Sequence, residues 1–227
     1  MKPFKHLFPA AALFFAVSLV FVSCKPDEET EEINLGYDYF PVDIGKYITY
    51  EVDSIGYGLT GDTANYLIKE ITVEQILDAT GEVAIKVERY RSDNNGTSWY
   101  LADVWTKKRT ATSAQKVEED VRYVRLVFPL EVGKSWNGNA YNTMDAWNYV
   151  YEDIDVPRSF GLLSFDQTLE VNQRNNMNLV DQEVASEIYA RGVGLVYKRL
   201  TDLNVQSGEI TGIDMEMTIV DYGDFVE

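Results

Sequence analysis

Histidine and cysteine each occur once in the 227 residues. Their side chains are the ones that serve most often in nucleophilic, acid–base and metal chemistry. The two residues are His6 and Cys24, and both lie close to the N-terminus. If a leader is removed before Cys24 and this cysteine is modified, the remaining chain has no imidazole and no free thiol. That composition excludes Ser-His-Asp and Cys-His catalysis, histidine-bound zinc, thiolate metal sites and disulfide bonds.

The 37 Asp and Glu residues are the acid–base groups that remain. Three groups stand out by spacing: Glu118, Glu119 and Asp120; Glu152, Asp153 and Asp155; and Asp214 with Glu216. A carboxylate pair about 5–9.5 Å apart, with one raised pKa, would make a glycoside hydrolase. The second group also offers the oxygen ligands that calcium prefers, although without EF-hand spacing. In so acidic a chain a solvated surface is the favoured interpretation, and we assign no catalytic residue, no metal and no cofactor.

Aromatic residues are the other class that could bind a ligand. Trp147, Tyr149 and Tyr151 alternate along the chain, which places three rings on one face of a strand. Together with Trp99 and Trp105 they are the candidates for stacking on a sugar or anchoring a protein partner. Core packing, which sheets favour for such residues, is the alternative. The basic run 107–109 is expected to be a solvated strand end.

The first 23 residues have the layout of a secretory signal peptide. A short basic start with Lys2 and Lys5 precedes an apolar run at 7–22, after which the chain turns acidic. An uncleaved anchor helix is the alternative, but the run of 16 residues, broken by Pro9 and Ser18, falls short of the roughly 20 that span a bilayer. We therefore predict a signal peptide at 1–23, a disordered acidic tether at 24–36 and a single domain at 37–227.

The segment Leu-Val-Phe-Val-Ser-Cys at 19–24 resembles a bacterial lipobox, with Phe21 where Leu is commoner. The resemblance implies cleavage before Cys24, a diacylglycerol on its sulfur and an acyl chain on its new amine. A free buried cysteine is the alternative. More than one chain gives stable attachment, because each buried CH₂ contributes about 0.8 kcal/mol. Lys25 and the acidic run 27–32 resemble the signals for outer-membrane sorting and surface export in Bacteroidota, which implies a lipid-anchored protein at the cell surface or facing the periplasm.

The charge of the chain limits its partners. Loss of Lys2 and Lys5 with the leader leaves 18 basic and 37 acidic residues, a net charge of −19. Such a charge disfavours nucleic acid and anionic headgroups. The expected partners are the membrane, through the lipid anchor, and a glycan or an envelope protein.

The sequence pattern predicts that the elements that position these residues are mostly strands. Apolar and polar residues alternate at 47–53 and 83–89, as in half-buried strands. Further strands are predicted at 65–77, 122–128, 146–151, 181–189, 194–205 and 210–221, with hairpin turns at 92–98 and 206–208. A helix is the alternative at 181–189, and 113–120 is predicted to be a helical turn or a polar loop. The fold class is therefore mainly β, an antiparallel curved sheet or half-barrel with little helix.

One heptapeptide occurs twice. Phe-Pro-Val-Asp-Ile-Gly-Lys at 40–46 matches Phe-Pro-Leu-Glu-Val-Gly-Lys at 128–134. Because Pro fixes φ and Gly permits a positive φ, both copies are predicted to form the same turn before a strand. The spacing is compatible with an internal duplication of 37–124 and 125–227 within one continuous domain, and chance similarity is the alternative.

Two segments carry a family resemblance. Phe-Pro-Leu-x-x-Gly-Lys-x-Trp at 128–136 and Tyr-Ala-Arg-Gly-Val-Gly-Leu-Val at 189–196 resemble parts of an uncharacterised family of Bacteroidota outer-membrane lipoproteins. The resemblance implies a secreted β-rich body, similar to the curved sheets of lipoprotein-carrier-like proteins, and transfers no catalytic residue. Asp-Ser-Ile at 53–55 and Asp-Thr-Ala at 62–64 resemble the O-glycosylation sites of that phylum, which implies modification of Ser54 and Thr63.

These observations favour a non-enzymatic lipoprotein that acts as a binding or structural component at the outer membrane. A carboxylate-based glycoside hydrolase is one alternative. A carrier of lipid or another apolar ligand within the curved sheet is the other.

Overall fold

The computed structural model describes residues 34–59 and 61–226. They form a short 3₁₀ helix, Tyr37–Tyr39, and one twelve-stranded antiparallel sheet. The strands are β1 (Lys46–Tyr57), β2 (Thr63–Leu77), β3 (Val83–Ser92), β4 (Tyr100–Arg109), β5 (Ser113–Glu118), β6 (Val121–Val127), β7 (Ser135–Asn137), β8 (Asn148–Phe160), β9 (Leu163–Met177), β10 (Asp181–Ala190), β11 (Gly194–Gln206) and β12 (Glu209–Asp224). The predicted fold class is confirmed. The predicted signal peptide, Cys24 and residues 25–33 of the tether lie outside the described residues.

Strands β1 to β6 pair in sequence order, strands β7 to β12 do the same, and β1 pairs with β12, so the spatial order is β6-β5-β4-β3-β2-β1-β12-β11-β10-β9-β8-β7. The two edge strands then approach each other. The Val124 N–H donates to the carbonyl of Gly138 at 2.8 Å, and Trp136 Nε1 donates to the carbonyl of Val124 at 2.9 Å. The sheet is therefore curled until it nearly closes, and its concave face encloses an interior. Within residues 34–59 and 61–226, no helix has the length and apolarity to cross a membrane.

Both copies of the repeated heptapeptide form the predicted turn. Gly45 and Gly133 have φ of +75° and +80°, values that glycine adopts most readily. The Gly45 N–H donates to the carbonyl of Thr72 at 2.7 Å, and the Gly133 N–H donates to that of Tyr151 at 2.8 Å. One copy leads into the run β1–β6 and the other into β7–β12. The duplication itself stays a prediction.

Two clusters of buried apolar residues form the hydrophobic core. The first contains Tyr39, Phe40, Ala114, Leu126, Phe128, Tyr149, Tyr151, Leu169, Val171 and Tyr189. The second contains Tyr50, Val52, Ile68, Phe165, Ile188, Ala190, Val196, Met217 and Ile219. The 3₁₀ helix contributes the fully buried Tyr39, whose hydroxyl donates to Asp155 at 2.7 Å. Residues 34–36 also belong to this body, because Gly36 is buried and lies directly against Leu130.

The prediction for 113–120 was wrong. Residues Ser113–Glu118 form strand β5, and Glu119 and Asp120 form the following turn with φ of +47° and +63°. The strand lacks the alternation of apolar and polar residues that identifies half-buried strands, because Lys116 and Glu118 are themselves buried or half-buried in the interior. Strands β7 and β9 carried no prediction.

Candidate functional site: a charged cavity inside the sheet

Charged side chains from distant strands meet inside the curled sheet. Lys116 on β5 lies 3.1 Å from Glu70 on β2, and Arg125 on β6 lies 3.2 Å from Glu187 on β10. Neither pair belongs to neighbouring strands of the sheet. Because side chains of separated strands can meet only across the concave face, these contacts place a group of ions in the interior.

The ions form one connected set, which we call the interior charge network. Arg89 contacts Glu70 at 3.1 Å and Asp103 at 2.9 Å, and Glu118 contacts Arg125 at 2.8 Å and Lys116 at 3.6 Å. The network contains four acids and four bases, which balance: Glu70, Asp103, Glu118, Glu187, Arg89, Lys116, Arg125 and Lys198.

The buried carboxylates of the network are held ionised. Burial is the largest influence on Glu70, Glu118 and Glu187 and alone would raise each pKa. The facing cations outweigh it, so all three pKa values are lowered, that of Glu118 strongly through Arg125. For Arg125, burial lowers the pKa, but Glu118 and Glu187 raise it well above its ordinary value. A general acid needs the opposite shift, so these carboxylates are better suited to binding than to proton donation.

A cavity of about 260 Å³ lies beside the network. Its wall includes Pro41, Ile48, Glu70, Val87, Lys107 and Val193. A smaller space of about 50 Å³ shares Pro41, Ile48, Glu70, Lys107 and Val193 with this wall and extends to Glu118, Arg125 and Glu187. The two spaces therefore connect the network to a site that can hold a small molecule.

Lys107 is the cation of the cavity wall that has no counterion. The strand register places it directly opposite Lys116, on the same face of the sheet. Lys116 binds Glu70, whereas no carboxylate in the described part of the chain lies within 4.0 Å of the Lys107 amine. Burial first, and then the charge of Lys116, lowers the pKa of Lys107 to about 8. The side chain is half-buried, so it remains within reach of a ligand.

The basic run 107–109 ends strand β4, as expected, but of its three side chains only that of Arg109 is exposed. Lys107 lines the cavity, and Lys108 is buried on the opposite face, 2.8 Å from Asp78 and bonded to Glu82. Arg109 donates to the carbonyl of Tyr37 at 2.7 Å and to that of Phe40 at 3.0 Å, which fixes the 3₁₀ helix. All three side chains therefore have specific surroundings.

The predicted aromatic row does not form an exposed binding surface. Tyr149 and Tyr151 are each about 1% exposed and belong to the first apolar cluster, as the core-packing alternative requires. Trp147 is half-buried beneath Arg174, 4.5 Å from the ring centroid. Trp99 lies apart, with the Lys69 amine 4.8 Å from its ring.

Trp105 is the predicted aromatic residue that contacts the network. Its half-buried ring lies between the Arg89 guanidinium, 3.6 Å from the ring centroid, and the Lys116 amine at 4.6 Å. Its Nε1 donates to Glu119 at 3.1 Å. The ring therefore covers two of the interior cations by cation–π contact.

The acidic residues singled out by spacing have different partners in the structure. Asp153 contacts Arg158 at 2.6 Å, Asp155 contacts Arg191 at 2.7 Å, and Glu152 is exposed. Asp214 accepts a hydrogen bond from Thr201 at 2.7 Å. Across residues 34–59 and 61–226, no three His, Cys, Asp or Glu side chains are grouped as metal ligands would be.

The two candidate glycosylation residues differ in access. Thr63 is exposed at the first residue of β2, whereas Ser54 is half-buried within β1. Their modification stays a prediction.

Two solved structures resemble the fold. One is provisionally described as an exported protein with a YmcC-like fold, from Bacteroides fragilis; it is 10% identical, covers 82% of this chain and 98% of its own, and has a TM-score of 0.44. The other is provisionally described as a lipoprotein, from Parabacteroides distasonis, with 10% identity, the same coverage and a TM-score of 0.39. Their descriptions are of the kind that the sequence resemblance predicts, but at this distance neither assigns a function or location to this chain. No family model and no curated protein matches it.

Proposed function

We propose that this chain is a non-enzymatic lipoprotein of the outer membrane that binds a small ligand inside its curled sheet. The cavity of about 260 Å³ beside the interior charge network is the observation that carries the proposal. The lipobox, the acidic tether and the net charge of −19 support an anchored protein whose body stands away from anionic lipid headgroups.

The energetics of the interior favour a binding role over a purely structural one. Burying an ion pair costs several kcal/mol per ion in lost hydration, so apolar residues of similar volume often serve stability equally well or better. Here eight ionic groups are retained next to a space that a ligand can enter. Ionisable groups gathered at a cavity are characteristic of functional sites.

The same features rank the alternatives. The lowered pKa values of Glu70, Glu118 and Glu187 do not suit the general acid of a glycoside hydrolase. The size of the cavity and the charges in its wall favour a small polar or amphipathic molecule over a long lipid chain. A small-ligand binding protein is therefore the function that the geometry supports best.

Native mass spectrometry of the full-length lipoprotein, extracted from its host membrane, tests the proposal. We expect a small molecule to accompany the folded protein and to be released on denaturation. Val193→Phe places a larger side chain in the cavity wall and should abolish the bound mass. Val132→Phe is the matched control, because Val132 is exposed in the second copy of the repeated turn. An unliganded wild-type protein, or equal loading of both variants, would contradict the proposal.

The anchor is tested separately. Cys24→Ala should move the protein from the membrane fraction to the soluble fraction, because the residue that carries the lipid is removed. Persistent membrane attachment of Cys24→Ala would instead indicate a retained apolar helix.

A further inference from the structure

We propose that Lys107 binds the carboxylate of a small organic monocarboxylate, whose apolar part occupies the cavity. The inference rests on the proposed function and specifies its ligand. Lys107 contributes the chemical feature that selects the ligand, and the rest of the cavity wall sets its size and total charge.

The lack of a carboxylate within 4.0 Å of Lys107 among the described residues points to a missing counterion at this amine. The interior charge network pairs four acids with four bases, and Lys107 adds one positive charge beside it. Its nearest cross-strand neighbour is another cation, Lys116. A half-buried ammonium without a counterion is costly, and a bound carboxylate would supply both the opposite charge and hydrogen-bond acceptors. The lowered pKa of Lys107 agrees with the lack of such a partner.

The other charges of the wall limit the ligand to a single negative charge. Glu70, Asp43 and Asp224 line the same cavity, while Lys46 is bonded to Asp224. Glu70 is neutralised by its contacts in the network, but Asp43 is exposed and no cation lies within 4.0 Å of it in the described part of the chain. A dianion such as phosphate would face this carboxylate with only Lys107 in its favour. A monocarboxylate carries a single negative charge, which matches the single positive charge of Lys107.

The remaining wall favours an apolar body of limited length. Ile48, Val87 and Val193 line the cavity, and Val87 is only 1% exposed. At about 30 Å³ for each water in the liquid, a volume of about 260 Å³ corresponds to roughly nine waters. The ligand therefore has on the order of ten non-hydrogen atoms, which corresponds to a short-chain or small aromatic acid.

Isothermal titration calorimetry of the full-length lipoprotein in detergent, after removal of bound small molecules, tests this assignment. The probes are sodium hexanoate, neutral hexanamide and inorganic phosphate. We expect hexanoate to bind at least tenfold more tightly than either of the others. Lys107→Met keeps the aliphatic stem but removes the charge, and it should weaken hexanoate binding at least tenfold. Lys86→Met, on neighbouring β3, is the control, because Lys86 pairs with Glu88 away from the cavity; it should bind hexanoate as the wild type does.

Further measurements keep failure of the inference distinct from failure of the proposed function. Lys107→Arg restores the charge and should regain most of the affinity, whereas a merely structural loss would not be rescued in this way. Equal hexanoate affinity of Lys107→Met and the wild type would overturn the role of Lys107. Tighter binding of phosphate or hexanamide than of hexanoate would overturn the ligand class. If hexanoate does not bind but Val193→Phe still abolishes a native ligand, the inference fails and the proposed function stands.

Discussion

Lys107 and Lys108 are neighbours in β4, yet they face opposite sides of the sheet and have opposite surroundings. Lys108 is 7% exposed and is bonded to Asp78 and Glu82, which outweigh the effect of burial and raise its pKa. Lys107 faces the cavity opposite Lys116, without a carboxylate within 4.0 Å among the described residues, and its pKa is lowered to about 8. One side of this strand therefore uses a lysine to hold the structure together, and the other side leaves a lysine available.

This difference distinguishes a lysine whose charge stabilises the fold, Lys108, from one whose charge is available to a ligand, Lys107. A buried ion that is paired stabilises the arrangement around it, and loss of its partner leaves an uncompensated charge. An ion that is unpaired in the folded state lowers stability and persists where function requires it. The two lysines and the network behind them make this distinction measurable.

The largest effect is expected at the centre of the paired ions. Arg125→Met removes the cation that Glu118 and Glu187 share, and both carboxylates are buried. We expect the free energy of unfolding to fall by about 3–5 kcal/mol, measured by urea denaturation. A loss below about 1 kcal/mol would show that the network is solvated and that its charges are not paired in the way described.

Lys108→Met should produce a smaller loss. Asp78 would lose its lysine but keep Arg122 at 2.9 Å and the hydroxyl of Thr80 at 2.6 Å. We expect a decrease of about 2 kcal/mol in the free energy of unfolding. The loss should stay the same from pH 7 to pH 4, because Lys108, Thr80 and Arg122 lower the pKa of Asp78 below its ordinary value of 3.8, and Thr80 and Arg122 still do so in the variant. The loss should diminish only in stronger acid, as the pH falls through the lowered pKa of the folded protein and Asp78 becomes protonated. A loss that already diminishes between pH 7 and pH 4 would contradict the pairing.

Lys107→Met, unlike the two substitutions above, should raise the free energy of unfolding. The pKa of Lys107 falls from 10.5 in the unfolded chain to about 8 in the folded protein, so the unfolded state binds more protons between these values. The lysine therefore reduces stability below pH 8, and this penalty disappears as the pH rises to about 10.5. We expect Lys107→Met to stabilise the ligand-free protein by about 1–2 kcal/mol at pH 7, after allowance for partial exposure, and to have no such effect above pH 10.5.

Parallel urea titrations of the wild type and Lys107→Met across this pH range measure the difference directly and cancel the titration of other groups. Destabilisation by Lys107→Met at pH 7 would show that Lys107 is a paired structural residue like Lys108.

The parts of this fold that depend on local rules could be predicted from the sequence. The repeated turn follows from Pro and Gly within one heptapeptide, and both glycines have the positive φ that the pattern predicted. Strands with an apolar inner face, such as β1 and β3, follow from alternation. Strand β5 could not be predicted in this way, because its inner face carries Lys116 and Glu118, and a polar interior removes the contrast on which the prediction depends.

The cavity depends on contacts between residues that are far apart in sequence. The spacing of residues along the chain does not predict these contacts. Lys107 was expected to be solvated because it lies in a basic run, and its position opposite Lys116 became apparent only from the register. One signal was present in β3, where Ile85 and Val87 are followed on the same face by Arg89. When the apolar residues on the inner face of a strand are followed by a charged residue on that same face, the interior is expected to be charged at that end of the strand.

The smallest effect is expected at Asp43, an exposed carboxylate in the first copy of the repeated turn that favours the charged form of Lys107. Asp43→Asn keeps the backbone carbonyl that accepts the Thr72 hydroxyl at 2.6 Å, so the turn should persist. We expect the pKa of Lys107, followed through the ¹³Cε shift of its side chain, to fall by a few tenths, because the attraction acts through solvent. Asp53→Asn, on the exposed surface of β1, is the control and should leave that pKa unchanged. If Asp43→Asn changes it by more than 1, Asp43 is the true counterion of Lys107, and the comparison with Lys108 becomes one between two paired lysines.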